Sequence, residues 1–93
     1  MSAYFIANLK IHDQDEYQKY LIHVENTVAK FNGKYLAVDK NPEILEGQWN
    51  YTRLVLIEFP DRESIKKWYH SPEYQEILKI RLSSADSDII IVK

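Results

Sequence analysis

Arg81 is the residue whose type fits its position least well in this sequence. The segment SPEYQEILKIRLSSA, read as a helix, carries an apolar stripe, and Arg81 lies in the middle of it. The apolar members of the stripe are Tyr74, Ile77, Leu78 and Leu82. An arginine at this position extends its guanidinium to water, forms an ion pair in the core, or holds a carboxylate or carbonyl oxygen of a ligand. The first two alternatives are structural, and the third predicts a binding site.

Glu58 raises the same question in the segment RLVLIEF, which is a strong strand signal. It shares one face of that strand with Leu54 and Leu56, where an isolated carboxylate is costly to bury. Two interpretations stay open: Glu58 meets a cation such as Arg81 or Arg53, or it lies near the strand end in water. In the first case it would orient Arg81 or, with a raised pKa, accept a proton as a general base.

The aromatic residues could complete a pocket around these charges. The chain has seven Tyr and two Trp among 93 residues. Those expected to flank the layer between helices and sheet are Tyr17, Tyr35, Trp49, Trp68, Tyr69 and Tyr74. Such side chains mainly serve core packing, but aromatic walls with a few polar groups are also typical of small-molecule sites. The predicted ligand-binding residues are Asn8, Tyr17, Tyr35, Trp68, Tyr74 and Arg81, and the candidate catalytic residues are Glu58 and Arg81.

Several kinds of chemistry find no support in the composition. The chain has no cysteine, hence no thiolate nucleophile, and its two glycines cannot build a glycine-rich phosphate loop. The three histidines, His12, His23 and His70, lack the spacing of a metal site. We therefore expect no metal and no cofactor. A haem-binding alternative would need an axial ligand, for which His23 or His70 would be tested.

Charge and hydropathy narrow the expected partners. The formal net charge is −2, and the basic residues are scattered, whereas nucleic-acid-binding proteins usually carry a basic stripe. No apolar run approaches the roughly 20 residues of a membrane span, and the N-terminal segment lacks the pattern of a signal peptide. We expect no nucleic-acid partner, no membrane partner and a cytoplasmic location.

The elements that must position these residues begin with a strand at Ala3–Ile11. The helix that follows is predicted to start after Asp13, whose spacing to Glu16 is that of a capping box. Asn32 and Gly33 are predicted to end this helix, with Gly33 in the left-handed conformation.

The rest of the chain alternates between strand and helix signals. Strands are predicted at Lys34–Val38, at Arg53–Phe59 and in the C-terminal segment DIIIVK. The segment EILEG is predicted to form a short extra strand, and QWNYT a loop. Asp61 is predicted to cap a short helix through RESIKKWYH, and Ser71 a second one with Pro72 at its first position.

The order β-α-β-β-α-β predicts an α+β fold of the ferredoxin-like type, with residues 1–93 as one domain. Its four-stranded antiparallel sheet has the spatial order 4-1-3-2, with the helices on one face only. Both faces of the strand Arg53–Phe59 are largely apolar, so the face without helices needs a cover. The simplest cover is a second copy of the chain, and we expect a homodimer packed sheet to sheet.

The register within that sheet also follows from the simplest pairing. If the first and third strands overlap fully, Glu58 lies opposite Tyr4 and Asn8 lies opposite Leu54. All of these side chains would then share one face of the sheet. A shift of one residue would move each of them to the other face.

Four motifs in order, NGKYL, EILEGQW, RLVLIEFP and WYHSPEYQ, followed by Arg81, resemble the family of domains of unknown function numbered 1330. The resemblance covers essentially the whole chain. It implies a dimeric α/β barrel, in which the sheets of two ferredoxin-like subunits face each other. Asn8 stands where many relatives are expected to have Asp, which argues against a role that needs a carboxylate there.

The resemblance implies a fold and no activity. Its wider superfamily is similar in fold to cofactor-free monooxygenases, haem-degrading enzymes, muconolactone-isomerase-like proteins and ligand-binding regulators, which is an analogy of scaffold alone. The leading hypothesis is a small dimer that binds an aromatic or carbonyl-bearing metabolite between helices and sheet, with a cofactor-free oxidation or isomerisation as its reaction. The alternative is a non-catalytic structural, stress-linked or regulatory dimer.

Overall fold

The structure is a computed structural model that describes residues 2–93. Its strands are β1 (Ala3–Ile11), β2 (Lys34–Asp39), β3 (Arg53–Phe59) and β4 (Ala85–Val92). Its helices are α1 (Gln14–Lys30), α2 (Arg62–Tyr69) and α3 (Pro72–Ser84). The helices α2 and α3 follow one another and together take the second helical position of the βαββαβ order.

The three helix starts are where the sequence predicts them. Asp13, Asp61 and Ser71 are the N-caps, and each side chain accepts a hydrogen bond from the backbone N–H three residues later, at 3.1, 2.7 and 3.2 Å. Pro72 opens α3, where the N–H that it lacks has no helical partner to lose. Local sequence therefore determines where α1, α2 and α3 begin.

The end of α1 differs from the prediction in one respect. Asn32, with φ 63°, takes the left-handed conformation that was assigned to Gly33. Asparagine tolerates this conformation better than most residues. Gly33 is needed for a different reason, since a Cβ there would lie 2.5 Å from Cγ1 of Val28 and 2.8 Å from the ring of Phe59. The glycine therefore allows the chain to pass close to the core.

Two other segments also differ from the prediction. The segment EILEG forms no strand, and its residue Leu45 is 91 % exposed, so the prediction of an extra strand was wrong. The last strand starts at Ala85, three residues before the predicted DIIIVK. The predicted loop QWNYT is a loop, and β3 has the predicted bounds.

The sheet has the order β2-β3-β1-β4, which is the predicted arrangement, and its pairs are antiparallel. The predicted register of the two central strands is confirmed, with Tyr4 opposite Glu58 and Asn8 opposite Leu54. Register decides which side chains meet the helices, because successive residues of a strand point to opposite faces.

The helices cover one face of the sheet, and the core lies between them. Buried side chains on this covered face come from alternate strand positions, namely Ala3, Phe5, Ala7, Leu9, Val55, Ile57 and Phe59. We call the other side the open face; its residues on β1, β3 and β4 include Tyr4, Ile6, Asn8, Leu54, Leu56, Glu58, Ile90 and Val92. Within residues 2–93, no helix has the length and apolar character needed to cross a membrane.

Candidate functional site

Arg81 lies in the core between α3 and the sheet and is only 3 % exposed. Its Nε donates a hydrogen bond to the hydroxyl of Tyr74 at 3.3 Å, and its Nη1 donates to Oγ of Ser87 at 2.7 Å. The guanidinium carbon also lies 6.0 Å from the ring centroid of Tyr20, within range of a cation–π interaction. All of these partners are neutral.

The charge of Arg81 has no carboxylate partner in this structure. Among residues 2–93, the ion pairs within 4.0 Å join lysines to glutamates and do not include Arg81. Burial lowers the pKa of Arg81, but the hydroxyls of Tyr74 and Tyr20 more than offset this effect, so its pKa lies above the usual value. A guanidinium stays charged in proteins. The side chain therefore neither extends to water nor forms an internal ion pair.

Glu58 is not the partner of Arg81. It lies on the open face opposite Tyr4, whereas Arg81 lies on the covered face, so the sheet separates the two side chains. The hypothesis that Glu58 orients Arg81 is wrong for this reason. Asn8 is also on the open face, where its Oδ1 accepts a hydrogen bond from Nε1 of Trp49 at 2.9 Å. Trp49 thus lies on the opposite side of the sheet from its predicted place.

Arg53 is a second cation on the covered face. Its guanidinium carbon lies 5.7 Å from the ring centroid of Tyr17, and its Nε is buried without a hydrogen-bond partner. Sequence reasoning considered Arg53 only as a partner for Glu58 and missed it as a site residue. The signal was available, since strand alternation places Arg53 on the same face as Val55 and Ile57.

The sheet register brings the two arginines together. Leu9 of β1 pairs with Arg53 of β3 on one side and with Ser87 of β4 on the other. Ser87 is the residue that accepts the hydrogen bond from Arg81. Both arginines line one cavity of about 30 Å³, which is room for one or two water molecules. The positively charged side chains of Arg53 and Arg81 therefore line the same small cavity, on the helix-covered side of Leu9.

The predicted aromatic residues divide around this cavity. Tyr17, Tyr35 and Trp68 line it together with Tyr20, which is not among the predicted site residues. Tyr74 does not line the cavity, but its hydroxyl is hydrogen-bonded to two residues that do: to Arg81, and to the hydroxyl of Tyr20 at 2.7 Å. The structure therefore brings together five of the seven predicted residues and places Asn8 and Glu58 elsewhere.

The tyrosine hydroxyls of the cavity are neutral at ordinary pH. Burial raises the pKa of Tyr17, an effect that Arg53 and Arg81 partly oppose. Burial also raises the pKa of Tyr20 well above its usual value, and the neighbouring Tyr74 raises it further. Burial, reinforced by Glu25, raises the pKa of Tyr35. These phenols can donate hydrogen bonds, but they do not neutralise the arginines.

Alkaline pH is expected to destabilise the fold through these tyrosines. Because the folded-state pKa of Tyr17 and Tyr20 exceeds the unfolded value of about 10, the unfolded chain releases these protons first. Their contribution is complete below pH 10 and falls as pH rises towards the folded-state pKa, by about 1.4 kcal/mol per pH unit for each proton. Urea unfolding followed by circular dichroism between pH 8 and 11 measures this slope. In Tyr20→Phe the free energy of unfolding should fall less steeply with pH, because one proton fewer is released on unfolding. An unchanged slope would contradict the raised pKa of Tyr20.

A larger groove lies beside the cavity, between α2 and β4. It has a volume of about 350 Å³ and an apolar floor. The residues that line it are Phe5, Ile65, Lys66, Tyr69, His70, Ile89 and Ile91. Phe5 and Ile89 also line the cavity, so these two side chains form the partition between the two spaces.

The histidines lie apart from the cavity. His23 is exposed on α1, and His70 is exposed at the end of α2, where it lines the groove. Within residues 2–93, no group of three or more His, Cys, Asp or Glu side chains is placed to hold a metal ion. The residues that could act on a ligand at this site are therefore arginines and tyrosines.

Comparison with known proteins gives a family match and several similar structures. A family model described as a domain of unknown function (DUF1330) matches residues 2–93. No curated protein matches the chain. A protein of unknown function from Rhodopseudomonas palustris is similar in structure, with 17 % sequence identity and a TM-score of 0.83 over 99 % of this chain and 81 % of the other.

Two further structures share the fold. A dimeric ferredoxin-like protein of unknown function from Jannaschia sp. CCS1 is 10 % identical, with a TM-score of 0.79 over 100 % of this chain and 99 % of the other. SnoaB, a cofactor-independent oxygenase from Streptomyces nogalater, is 10 % identical, with a TM-score of 0.74 over 99 % and 91 % of the two chains. At such low identity the likeness shows a common ferredoxin-like fold and no common activity.

Proposed function

This chain belongs to the DUF1330 family, a family of unknown function, and we propose that it binds a small aromatic or carbonyl-bearing metabolite between its helices and its sheet. The observation that carries the proposal is Arg81, a buried cation with only neutral partners. Burying a charge without a counter-charge is costly. A ligand oxygen that accepts hydrogen bonds from this guanidinium would reduce that cost.

The remaining residues of the cavity have roles in this proposal. Tyr17, Tyr35 and Trp68 provide aromatic faces against which a planar ligand packs. The hydroxyls of Tyr20 and Tyr74 form a hydrogen bond of 2.7 Å with each other, and this pair can donate a hydrogen bond towards the oxygen at Arg81. An aromatic wall with a few polar groups is the usual construction of a small-molecule site.

We propose a cofactor-free oxidation by molecular oxygen, or an isomerisation, as the reaction class. Such reactions pass through an enolate-like or phenolate-like anion, which forms when the ligand loses a proton to solvent and which the guanidinium of Arg81 would stabilise. SnoaB, a cofactor-independent oxygenase, has a similar fold, and this analogy supports the class without assigning residues. Glu58 has no part in this scheme because it lies across the sheet.

The assembly that we propose is a homodimer in which the open faces of two subunits meet. The open face presents Ile6, Leu54 and Leu56 at its centre and the exposed Ile90 at its edge. An apolar surface of this kind marks an interface in a soluble protein. The Jannaschia protein, which is similar in structure, is described as dimeric. The helices and the cavity then face outwards, away from the partner. A cytoplasmic location stays a prediction from the sequence.

A non-catalytic dimer is the competing function, and the small cavity favours it. With a volume of about 30 Å³ the cavity holds no metabolite unless side chains move. In this alternative Arg81 serves only as a structural link between α3, which also carries Tyr74, and Ser87 of β4.

The experiment that separates the two functions is a ligand screen by nuclear magnetic resonance. The chain has two tryptophans, and their indole N–H signals report different places, since Trp68 lines the cavity and Trp49 lies on the open face. Small aromatic aldehydes, ketones, phenols and acids are titrated into the protein. We expect some of them to shift the signal of Trp68 and to leave that of Trp49 unchanged.

Arg81→Met provides the control for this screen. Methionine replaces the stem of the arginine with apolar atoms of similar length, so the variant is expected to stay folded. It should lose at least tenfold in affinity for the compounds that shift Trp68. A screen without any such compound, or equal affinities in Arg81→Met, would support the non-catalytic alternative and overturn the proposed site.

A further inference from the structure

We infer that the ligand of this site is an apolar carboxylic acid, whose carboxylate binds between Arg53 and Arg81 and whose apolar body lies towards the groove below α2. The inference rests on the proposed function and narrows its ligand class. Its first support is charge: two guanidiniums line one cavity, and within residues 2–93 neither forms an ion pair within 4.0 Å. A neutral carbonyl ligand would leave both positive charges without a counter-charge.

The second support is an unused donor. Nε of Arg53 is buried and has no hydrogen-bond partner, and leaving a buried donor unsatisfied is unfavourable. Arg81 likewise bonds to two hydroxyls, which are weaker partners than a carboxylate. A carboxylate has two oxygens and can accept from two guanidiniums at once. It is therefore the group that matches both arginines together.

The third support is the polarity of the covered face along the strands. One row across the sheet consists of Arg53, Leu9 and Ser87, so a polar residue lies on each side of Leu9. The next row contains Ala7 and Ile89, and its residues are apolar. A ligand that binds its charged end at the first row meets the apolar side chains of the second row on the sheet beyond it. The site is thus shaped for an acid with an apolar body.

The fourth support is the space available to that body. Ala7, at the centre of the apolar row, is the smallest side chain that could stand there other than glycine. Beyond it, Phe5 and Ile89 line both the cavity and the groove of about 350 Å³. Small-molecule sites have volumes of about 300–1,000 Å³, so the groove adds the volume that the cavity lacks. Lys66 at the groove adds a third positive charge on the path of an anion.

The test compares an acid with its neutral analogue of the same shape. The probes are 3-phenylpropanoate and 3-phenylpropanamide, titrated into the full-length protein while the indole signal of Trp68 is followed. We expect the acid to bind at least tenfold more tightly than the amide. Arg53→Met should remove this preference, whereas Arg62→Met, which changes an exposed arginine on α2, should leave it intact.

A second variant tests the place of the apolar body. Ile91→Trp adds a bulky side chain to the groove, which we expect to weaken binding of 3-phenylpropanoate several-fold. Unchanged binding in this variant would overturn the assignment of the groove. If acid and amide bind equally and both shift Trp68, the carboxylate inference fails while the proposed function stands. If Arg62→Met weakens the acid as much as Arg53→Met does, binding is non-specific attraction to surface charge and the inference fails.

The outcomes also distinguish this inference from the proposed function itself. If neither probe shifts Trp68 and the wider set of aldehydes, ketones and phenols is also inactive, both proposals fall together. If only those neutral compounds bind, in a manner that depends on Arg81, the proposed function stands and the ligand is not a carboxylate.

Discussion

Replacing Trp68 with alanine is expected to lower the free energy of unfolding by about 3–5 kcal/mol, a range typical of large aromatic residues truncated in a core. Trp68 is fully buried, at 0 % exposure. Its ring contacts the rings of Phe5, Phe59 and Tyr74 at centroid distances of 5.0, 5.3 and 4.2 Å. The variant would therefore leave a cavity at the point where α2, α3 and the sheet meet.

The loss of a hydrogen bond adds to the destabilisation that the cavity causes. Nε1 of Trp68 donates to Oγ1 of Thr27 at 3.0 Å, and the hydroxyl of Thr27 donates to the carbonyl of Val24 at 2.7 Å. Truncation leaves the buried hydroxyl with one partner fewer. Since typical domains are stable by only about 5–15 kcal/mol, the loss should be a large share of the total.

Trp49→Ala is the matched control for this prediction. The same residue type is replaced, but Trp49 is only half-buried, in the loop on the open face. Urea unfolding followed by circular dichroism compares the variants at one protein concentration, because the stability of a dimer depends on concentration. Trp68→Ala should lose clearly more stability than Trp49→Ala. Equal losses would show that the aromatic cluster is not the centre of the core.

Replacing Leu56 with glutamate is expected to separate the proposed dimer into folded monomers. Leu56 lies at the centre of the open face, paired with Ile6 on one side and with Ala37 on the other. In a two-fold interface each substitution occurs twice. A buried charge without a partner costs about 3–5 kcal/mol, and each 1.4 kcal/mol is a factor of ten in affinity. The dissociation constant should therefore rise by at least a hundredfold.

Leu82→Glu is the matched control. It introduces the same charge in the layer of helices, on the other side of the sheet from Leu56. Leu82 is on α3 and is 63 % exposed, so its replacement should alter neither fold nor assembly. Sedimentation velocity over a range of concentrations reports the subunit count of the wild type and both variants. A wild type that is monomeric at all concentrations would overturn the proposed interface. So would a Leu56→Glu variant that dimerises as well as Leu82→Glu.

Much of the fold could be predicted from the sequence, because it depends on local signals. The caps at Asp13, Asp61 and Ser71 use side chains that bond within three residues, so their effect does not depend on distant parts of the chain. The strand at Arg53–Phe59 follows from a short apolar run between turn signals. The register of β1 and β3 was predicted by assuming full overlap, the simplest pairing of the two strands, and the structure has that register.

Local signals failed where two solutions are close in energy. Asparagine and glycine both accept the left-handed conformation at the end of a helix, and the position chosen depended on the contact of Gly33 with Val28 and Phe59. The segment EILEG has residues compatible with a strand, yet it joins neither edge of the sheet, which are β2 and β4. Such choices depend on contacts between residues far apart in sequence.

The candidate site, like the fold, could be predicted from the sequence only in part. The sequence by itself identified Arg81 as a cation on an apolar stripe and placed Tyr17, Tyr35, Trp68 and Tyr74 in the helix–sheet layer, because the periodicities of helices and strands assign residues to faces. It could not tell whether the partner of Arg81 is Glu58 or something else. The identity of a partner depends on which face each strand presents and on which side chains meet across elements.

Only the tertiary structure decided which side chains lie beside Arg81. It placed Glu58 across the sheet and brought Arg53 to the cavity of Arg81, with Ser87 and Leu9 between them. An interaction between charges depends on their distance and burial, and neither quantity is encoded by the spacing of Arg53 and Arg81 along the chain. The sequence therefore determined the helices and the four strands of the sheet, whereas packing decided which face of each strand meets the helices and which charges meet.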